Sequence, residues 1–148
     1  MNWPSKWRNG SELLVWIDKQ LLVTLHDESL AMHGGLSGIR DEGLLDSALN
    51  RAPNLALYGK PDIAELAAAY GFGLAKNHAF VDGNKRVAFL SVGLFLVING
   101  YKLKATQVDA TLTMLAVAGD DMAEADFANW IRTNSISTDS IGTDNTLR

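Results

Sequence analysis

His78-Ala79-Phe80-Val81-Asp82-Gly83-Asn84-Lys85-Arg86 leads directly into the apolar residues 87–98. Residues 87–98 would be apolar on nearly every face of a helix, which is typical of a helix that is surrounded by others. Asn99-Gly100 is suited to end that helix in a left-handed C-cap. We therefore predict a buried central helix at about 84–99 that begins within a polar loop.

The chain before this loop also carries helical signals. Asp18 is a plausible N-cap for a helix over 19–33, which Gly34-Gly35 would end. His26 lies in that helix, and we interpret it as a partly buried or surface histidine in preference to a ligand.

Two more helices should lead into the polar loop. Asp41 can cap a helix that must end before Pro53, because the residue before a proline is disfavoured in a helix. A loop over 54–61 would follow. Asp62 and Glu65 then form a capping-box pattern that begins the next helix.

Two further helices are predicted near the end of the chain, over about 107–118 and about 122–132. Apart from 101–105, no stretch alternates between apolar and polar residues as a strand would. The first of these two helices has an N-cap at Thr106 and a stop at Gly119, and the second has an Asp121/Glu124 capping box. The predicted fold class is therefore all-α, a compact helical bundle.

The length of 148 residues is that of a single domain. We predict an irregular N-terminal arm over 1–13, a folded domain over 14–132 and a disordered tail over 133–148, where Ser, Thr, Asp and Asn dominate.

The composition excludes several classes of function. There is no cysteine, so a disulfide framework and a thiolate metal site are excluded, as suits a cytoplasmic protein. The net charge of −4 argues against direct nucleic-acid binding. No apolar run is long enough for a membrane span, and we expect a cytoplasmic location without membrane contact.

The polar loop has the composition of a phosphate clamp. The first backbone N–H groups of a helix have no intrahelical partner and attract anions. Gly83 permits close backbone approach, Asn84 can orient a phosphate oxygen, and Lys85 and Arg86 add two positive charges.

Two other residues of the loop carry chemistry. Asp82 is placed to hold Mg²⁺, a cation that prefers oxygen ligands, and His78 can accept a proton from a hydroxyl nucleophile. Phe80 is interpreted as an apolar anchor. In the alternative interpretation, Asp82 merely caps the helix and the two cations are solvated, which leaves the remaining polar groups unexplained.

This nine-residue loop strongly resembles the signature of Fic-domain proteins, and more closely their death-on-curing (Doc) toxin branch, in which a lysine follows the asparagine. The resemblance extends from about Trp16 to Tyr101. The other matching residues are His26-Asp27, Gly34-Gly35, Gly38-Ile39-Arg40-Asp41, Leu44-Leu45, Ala48, Pro53 and Asn99-Gly100-Tyr101.

The resemblance implies a compact helical bundle that uses ATP and Mg²⁺ to transfer a phosphate-containing group to a protein hydroxyl. By the same resemblance, His78 is the general base and Asp82 the metal-holding carboxylate. The phosphate-binding set is Gly83, Asn84, Lys85 and Arg86.

Two departures from the common Fic pattern bear on the reaction. Lys85 stands where most AMP-transferring members have glycine, and Phe89 stands where many have a second arginine. In the Doc branch the same lysine accompanies a reversed nucleotide that presents its γ-phosphate, which implies a kinase. The implied substrate is a threonine of translation elongation factor Tu. An AMP transferase that tolerates Lys85 and a catalytically idle binding module are the alternatives.

The resemblance also bears on control. Some Fic proteins carry an internal inhibitory helix with Ser or Thr, three residues, Glu, then Gly or Asn. The nearest stretch here, Thr24-Leu25-His26-Asp27-Glu28-Ser29, fails at the last position. The chain is therefore expected to be restrained from outside, by a separate small antitoxin whose C-terminal segment folds over the active site.

Overall fold

Residues 14–138 are described by the structure, a computed structural model, and they form six α-helices and one two-stranded antiparallel sheet. The all-α fold class is confirmed. None of the described helices is long and apolar enough to cross a membrane. In chain order the elements are α1 (Lys19–His33), α2 (Glu42–Tyr58), α3 (Ile63–Asn77), α4 (Asn84–Ile98), β1 (Tyr101–Leu103), α5 (Gln107–Ala118), α6 (Glu124–Thr133) and β2 (Ser135–Ser137).

The core lies where α3 packs against α2, α4 and α6. The predicted central helix α4 has six buried residues, and α3 is buried even more completely, at eleven of its fifteen residues. Small residues make the close packing around α3 possible. A Cβ atom at Gly71 of α3 would lie 2.7 Å from Val92 Cγ2 and 2.9 Å from Phe127 Cε2. Only glycine at this position therefore lets α4 and α6 approach α3 this closely.

Local capping signals located most helix starts correctly. The Asp18 side chain accepts the Leu21 N–H at 2.9 Å. Both halves of the capping box at Asp62 and Glu65 are formed, each at 2.8 Å. These starts are set by residues within one turn, which is why the sequence shows them.

The predicted end of α2 is wrong. Pro53 lies inside the helix, which continues to Tyr58, so the predicted loop over 54–61 is mostly helical. Proline removes one helical hydrogen bond and crowds the preceding turn. Ala52 is fully buried and Ala56 packs against the core, and we attribute the continuation to this tertiary contact.

The predicted capping box of α6 is also wrong. The helix begins at Glu124 with Ala123 as its N-cap, and no side chain makes a capping hydrogen bond there. The Glu124 carboxylate accepts a hydrogen bond from Arg51 of α2 at 2.6 Å. The Glu124 carboxylate is therefore engaged in an ion pair with a distant residue and does not form the predicted capping box.

The tail was predicted to be disordered from residue 133, and its first part is ordered. Strand β2 pairs with β1 in a register that places Ile136 opposite Lys102. Backbone hydrogen bonds extend the pairing beyond both ends of the two strands: Lys104 N donates to Asn134 O at 2.6 Å, and Thr138 N donates to Gly100 O at 2.9 Å. The predicted arm over 1–13 and the tail over 139–148 lie outside the described residues.

Candidate active site

His78 terminates α3 in a left-handed conformation, with φ 51° and ψ 48°, and its side chain is exposed. This conformation is unfavourable for a residue with a Cβ atom, so something must hold it. Arg40 does so: its Nε donates to the His78 carbonyl at 2.7 Å, and Nη2 donates to the Asn77 carbonyl at 3.3 Å. Arg40, which the sequence analysis named within the matching stretch 38–41 but gave no role, therefore fixes the turn that carries the histidine.

Residues 34–41, which we call the strap, run alongside the loop and bind its backbone. Ile39 and Phe80 form an isolated antiparallel β-bridge. Three further backbone hydrogen bonds join the two segments: Val81 N donates to Gly38 O at 3.0 Å, and Arg40 N and Asp41 N donate to Ala79 O at 2.7 Å and 3.0 Å. The strap thereby fixes the loop along its length.

Asn84 closes the loop on itself. Its Oδ1 accepts the Phe80 N–H and its Nδ2 donates to the Phe80 carbonyl, both at 3.0 Å. The predicted role of this amide was to orient a phosphate oxygen. The hydrogen bonds observed shape the loop, and one Nδ2 hydrogen remains for a ligand, because an amide nitrogen carries two.

The N-terminus of α4 has the features of an anion site. Its N-cap is Gly83, in a left-handed conformation with φ 75°, and no side chain caps the first backbone N–H groups. The first turn carries no acidic residue. A Cβ atom at Gly83 would lie 2.8 Å from His26 Cε1, so the turn requires glycine both for its conformation and for space. Lys85 is exposed and Arg86 half-buried in the same turn, which adds two cations to a positive helix terminus.

Asp82 lies between this turn and the strap. Its Oδ2 accepts the Leu36 N–H at 2.8 Å, which orients the half-buried carboxylate. Among residues 14–138, no three His, Cys, Asp or Glu side chains cluster as a metal site. A Mg²⁺ ion at Asp82 would therefore take most of its oxygen ligands from nucleotide phosphates and water, as Mg²⁺ commonly does.

His26 is the clearest difference between the predicted and the observed site. It is fully buried beneath the loop, with its ring centroid 4.2 Å from that of Phe80. Burial lowers the pKa of His26, and the backbone of Asp82 and the charge of Asp27 oppose that shift. Leu22 and Leu30, one turn away on either side, are buried too, and this spacing was the signal that could have revealed it.

A groove of about 1060 Å³ opens beside Lys85 and Arg86 and runs between α1, α4, β1 and α5. Its lining is mostly apolar and includes Phe89. Other lining residues are Leu25, Leu94, Val97, Met114 and Leu115.

An exposed histidine, a half-buried carboxylate and an uncapped helix N-terminus thus lie on one loop of this helical bundle. The sequence model described as the Fic/DOC family matches residues 16–96, and the chain belongs to this family. It is 34% identical over 105 residues to the protein kinase doc of Escherichia phage P1, covering 70% of this chain and 83% of that protein. It is 43% identical over 93 residues to the toxin Doc of Mycolicibacterium smegmatis, covering 61% of this chain and 68% of the relative.

Proposed function

We propose that this protein is a Doc-like toxin that transfers the γ-phosphoryl group of ATP to a serine or threonine hydroxyl of a translation factor. The observation that carries the proposal is the uncapped N-terminus of α4 behind the left-handed Gly83. Two cations, Lys85 and Arg86, lie in the same turn. One relative is named a protein kinase, which supports the kinase part of the proposal, and the other is named a toxin, which supports the toxin part.

The residues of the loop divide the work between binding and proton transfer. The backbone N–H groups at the start of α4, with Lys85 and Arg86, hold the phosphates and stabilise charge that develops on them. Asp82 would hold Mg²⁺, which would supply further neutralisation of the phosphate oxygens. The target hydroxyl bonds to the γ-phosphorus while the bond to the bridging oxygen breaks, ADP leaves, and His78 takes the hydroxyl proton.

Transfer of the γ-phosphoryl group is favoured over transfer of AMP by two residues of this chain. Lys85 stands where, by the resemblance, most AMP-transferring Fic proteins have glycine, and Phe89 lines the apolar groove and offers phosphate no charge. Elongation factor Tu is the favoured substrate, and arrest of translation in the cytoplasm is the favoured outcome. Both follow from the Doc resemblance.

We further propose that the partner that restrains the toxin is a separate antitoxin and that one of its segments covers the groove. An apolar groove with Lys85, Arg86 and Lys102 in its lining suits an amphipathic segment with acidic residues. Val97 and Val108 are matched probes, since both are exposed and only Val97 lines the groove. Val97→Asp should retain transfer and escape the antitoxin, whereas Val108→Asp should stay inhibited. Equal inhibition of both variants would place the antitoxin elsewhere.

The reaction itself is tested with ATP labelled at either the α- or the γ-phosphate. Purified protein is incubated with Mg²⁺, each ATP and a bacterial lysate, beside His78→Ala and the control Glu28→Ala on the exposed face of α1. We expect a labelled protein band from γ-labelled ATP alone, absent with His78→Ala and present with the control. Label from α-labelled ATP would identify an AMP transferase instead. No His78-dependent label from either ATP, with elongation factor Tu present, would indicate an idle binding module.

A further inference from the structure

His26 presents a problem that the proposed reaction does not solve. It is fully buried, and neither Nδ1 nor Nε2 has a hydrogen-bond partner within residues 14–138. A buried polar group without a partner loses its hydration and gains nothing in return. A leucine or methionine would fill the same space without this loss, so packing alone does not account for a histidine here.

The neighbours of the ring show what it serves. His26 and Leu30 lie on the face of α1 that supports the loop, and the Phe80 ring packs on the imidazole at an interplanar angle of 54°. The imidazole edge faces Gly83: Cε1 lies 2.8 Å and Nδ1 3.7 Å from the position that a Cβ atom would take there. Nδ1, one of the two unpaired nitrogens, thus lies beside the turn that begins α4.

Within that turn, the group that interacts with the imidazole is the backbone of Asp82. Gly83 has no side chain, and the side-chain Oδ2 of Asp82 is bonded to Leu36 on the strap. The Asp82 backbone already interacts with the imidazole without meeting hydrogen-bond geometry. A neutral imidazole has one donor and one acceptor, so a small shift of the turn would complete a hydrogen bond. Catalytic hydrogen bonds often tighten only when substrate is bound.

We infer that His26 is a positioning residue, which hydrogen-bonds the backbone of the Asp82-Gly83 turn when an anion occupies the N-terminus of α4. It acts through the turn and touches neither nucleotide nor target. The inference rests on the proposed function only in taking nucleotide phosphate as the anion. This role explains why a polar ring occupies position 26 although its burial without a hydrogen-bond partner lowers the stability of the fold.

Two substitutions separate positioning from packing. His26→Leu removes the unpaired nitrogens, so the free protein should be as stable as the original or more so, while its affinity for Mg²⁺-ATP falls about tenfold, the worth of one good hydrogen bond. His26→Gln keeps a donor and an acceptor and should recover part of that affinity. Leu22→Val, one turn earlier and also fully buried, is the control that lowers stability and leaves affinity unchanged.

A spectroscopic measurement on the unaltered protein avoids dependence on the variants. The chain has three histidines, so the ring nitrogens of ¹⁵N-histidine protein are assignable with His33→Gln and His78→Ala. Addition of Mg²⁺-ADP should move one nitrogen signal of His26 in the direction of hydrogen bonding. Unmoved His26 signals, or a His26→Leu variant that binds Mg²⁺-ATP as tightly as the original, would overturn the inference. Failure of label transfer alone would contradict the proposed function and leave these binding results intact.

Discussion

Gly83→Ala tests the geometry of the turn that begins α4. The glycine has φ 75°, where a residue with a Cβ atom costs roughly 1–2 kcal/mol. The added methyl would also lie 2.8 Å from His26 Cε1 and 3.2 Å from Leu30 Cδ2. Forcing a methyl group into a packed site costs typically about 1–3 kcal/mol. The two costs together predict a loss of about 2–5 kcal/mol in the free energy of unfolding, a large share of the roughly 5–15 kcal/mol of a typical domain.

Urea unfolding followed by circular dichroism measures this loss, and Gly93→Ala provides the control. Gly93 lies in the same helix, and a Cβ atom there meets no heavy atom within 4 Å. Replacing a helical glycine with alanine should therefore stabilise the protein by about 0.5–1 kcal/mol. If Gly83→Ala instead unfolds at the same urea concentration as Gly93→Ala, the tight contact between this turn and α1 does not exist.

Three further perturbations have defined outcomes. Asn84→Ala removes both hydrogen bonds to the Phe80 backbone and should cost about 1–3 kcal/mol in urea unfolding, with loss of label transfer; full transfer would exclude the loop-closing role. Asp62→Ala removes the capping box shared with Glu65 and should cost about 0.5–2 kcal/mol in the same assay, without changing Mg²⁺-ATP affinity. Burial lowers the pKa of His26 below its ordinary 6.5, so the unfolded chain takes up this proton first as the pH falls. Stability should therefore decline below about pH 6.5, and His26→Leu should flatten that decline in unfolding curves taken at several pH values.

The parts of this fold that the sequence predicted are those that short-range interactions determine. The caps at Asp18 and Asp62 and the apolar run of α4 depend on residues within a turn or two. The composition of the loop likewise predicted an anion site at the start of α4, from a glycine followed closely by two adjacent cations, and that site stays a prediction.

The parts that it missed depend on contacts between distant segments. Pro53 lies within a helix because neighbouring residues pack on the core. The Glu124 carboxylate binds Arg51 of another helix and does not form the predicted cap. His26 is buried only because α1 lies under residues 80–83, and β2 forms only because β1 is available to pair with it. None of these partners can be identified from the local pattern.

The mass of the group that this protein adds to its target distinguishes γ-phosphoryl transfer from AMP transfer. Elongation factor Tu is incubated with Mg²⁺-ATP and the purified protein or His78→Ala, and its intact mass is measured by mass spectrometry. We expect the addition of a single phosphoryl group that depends on His78. Addition of the mass of AMP would contradict γ-phosphoryl transfer, and a phosphoryl group that also appears with His78→Ala would contradict the assigned base.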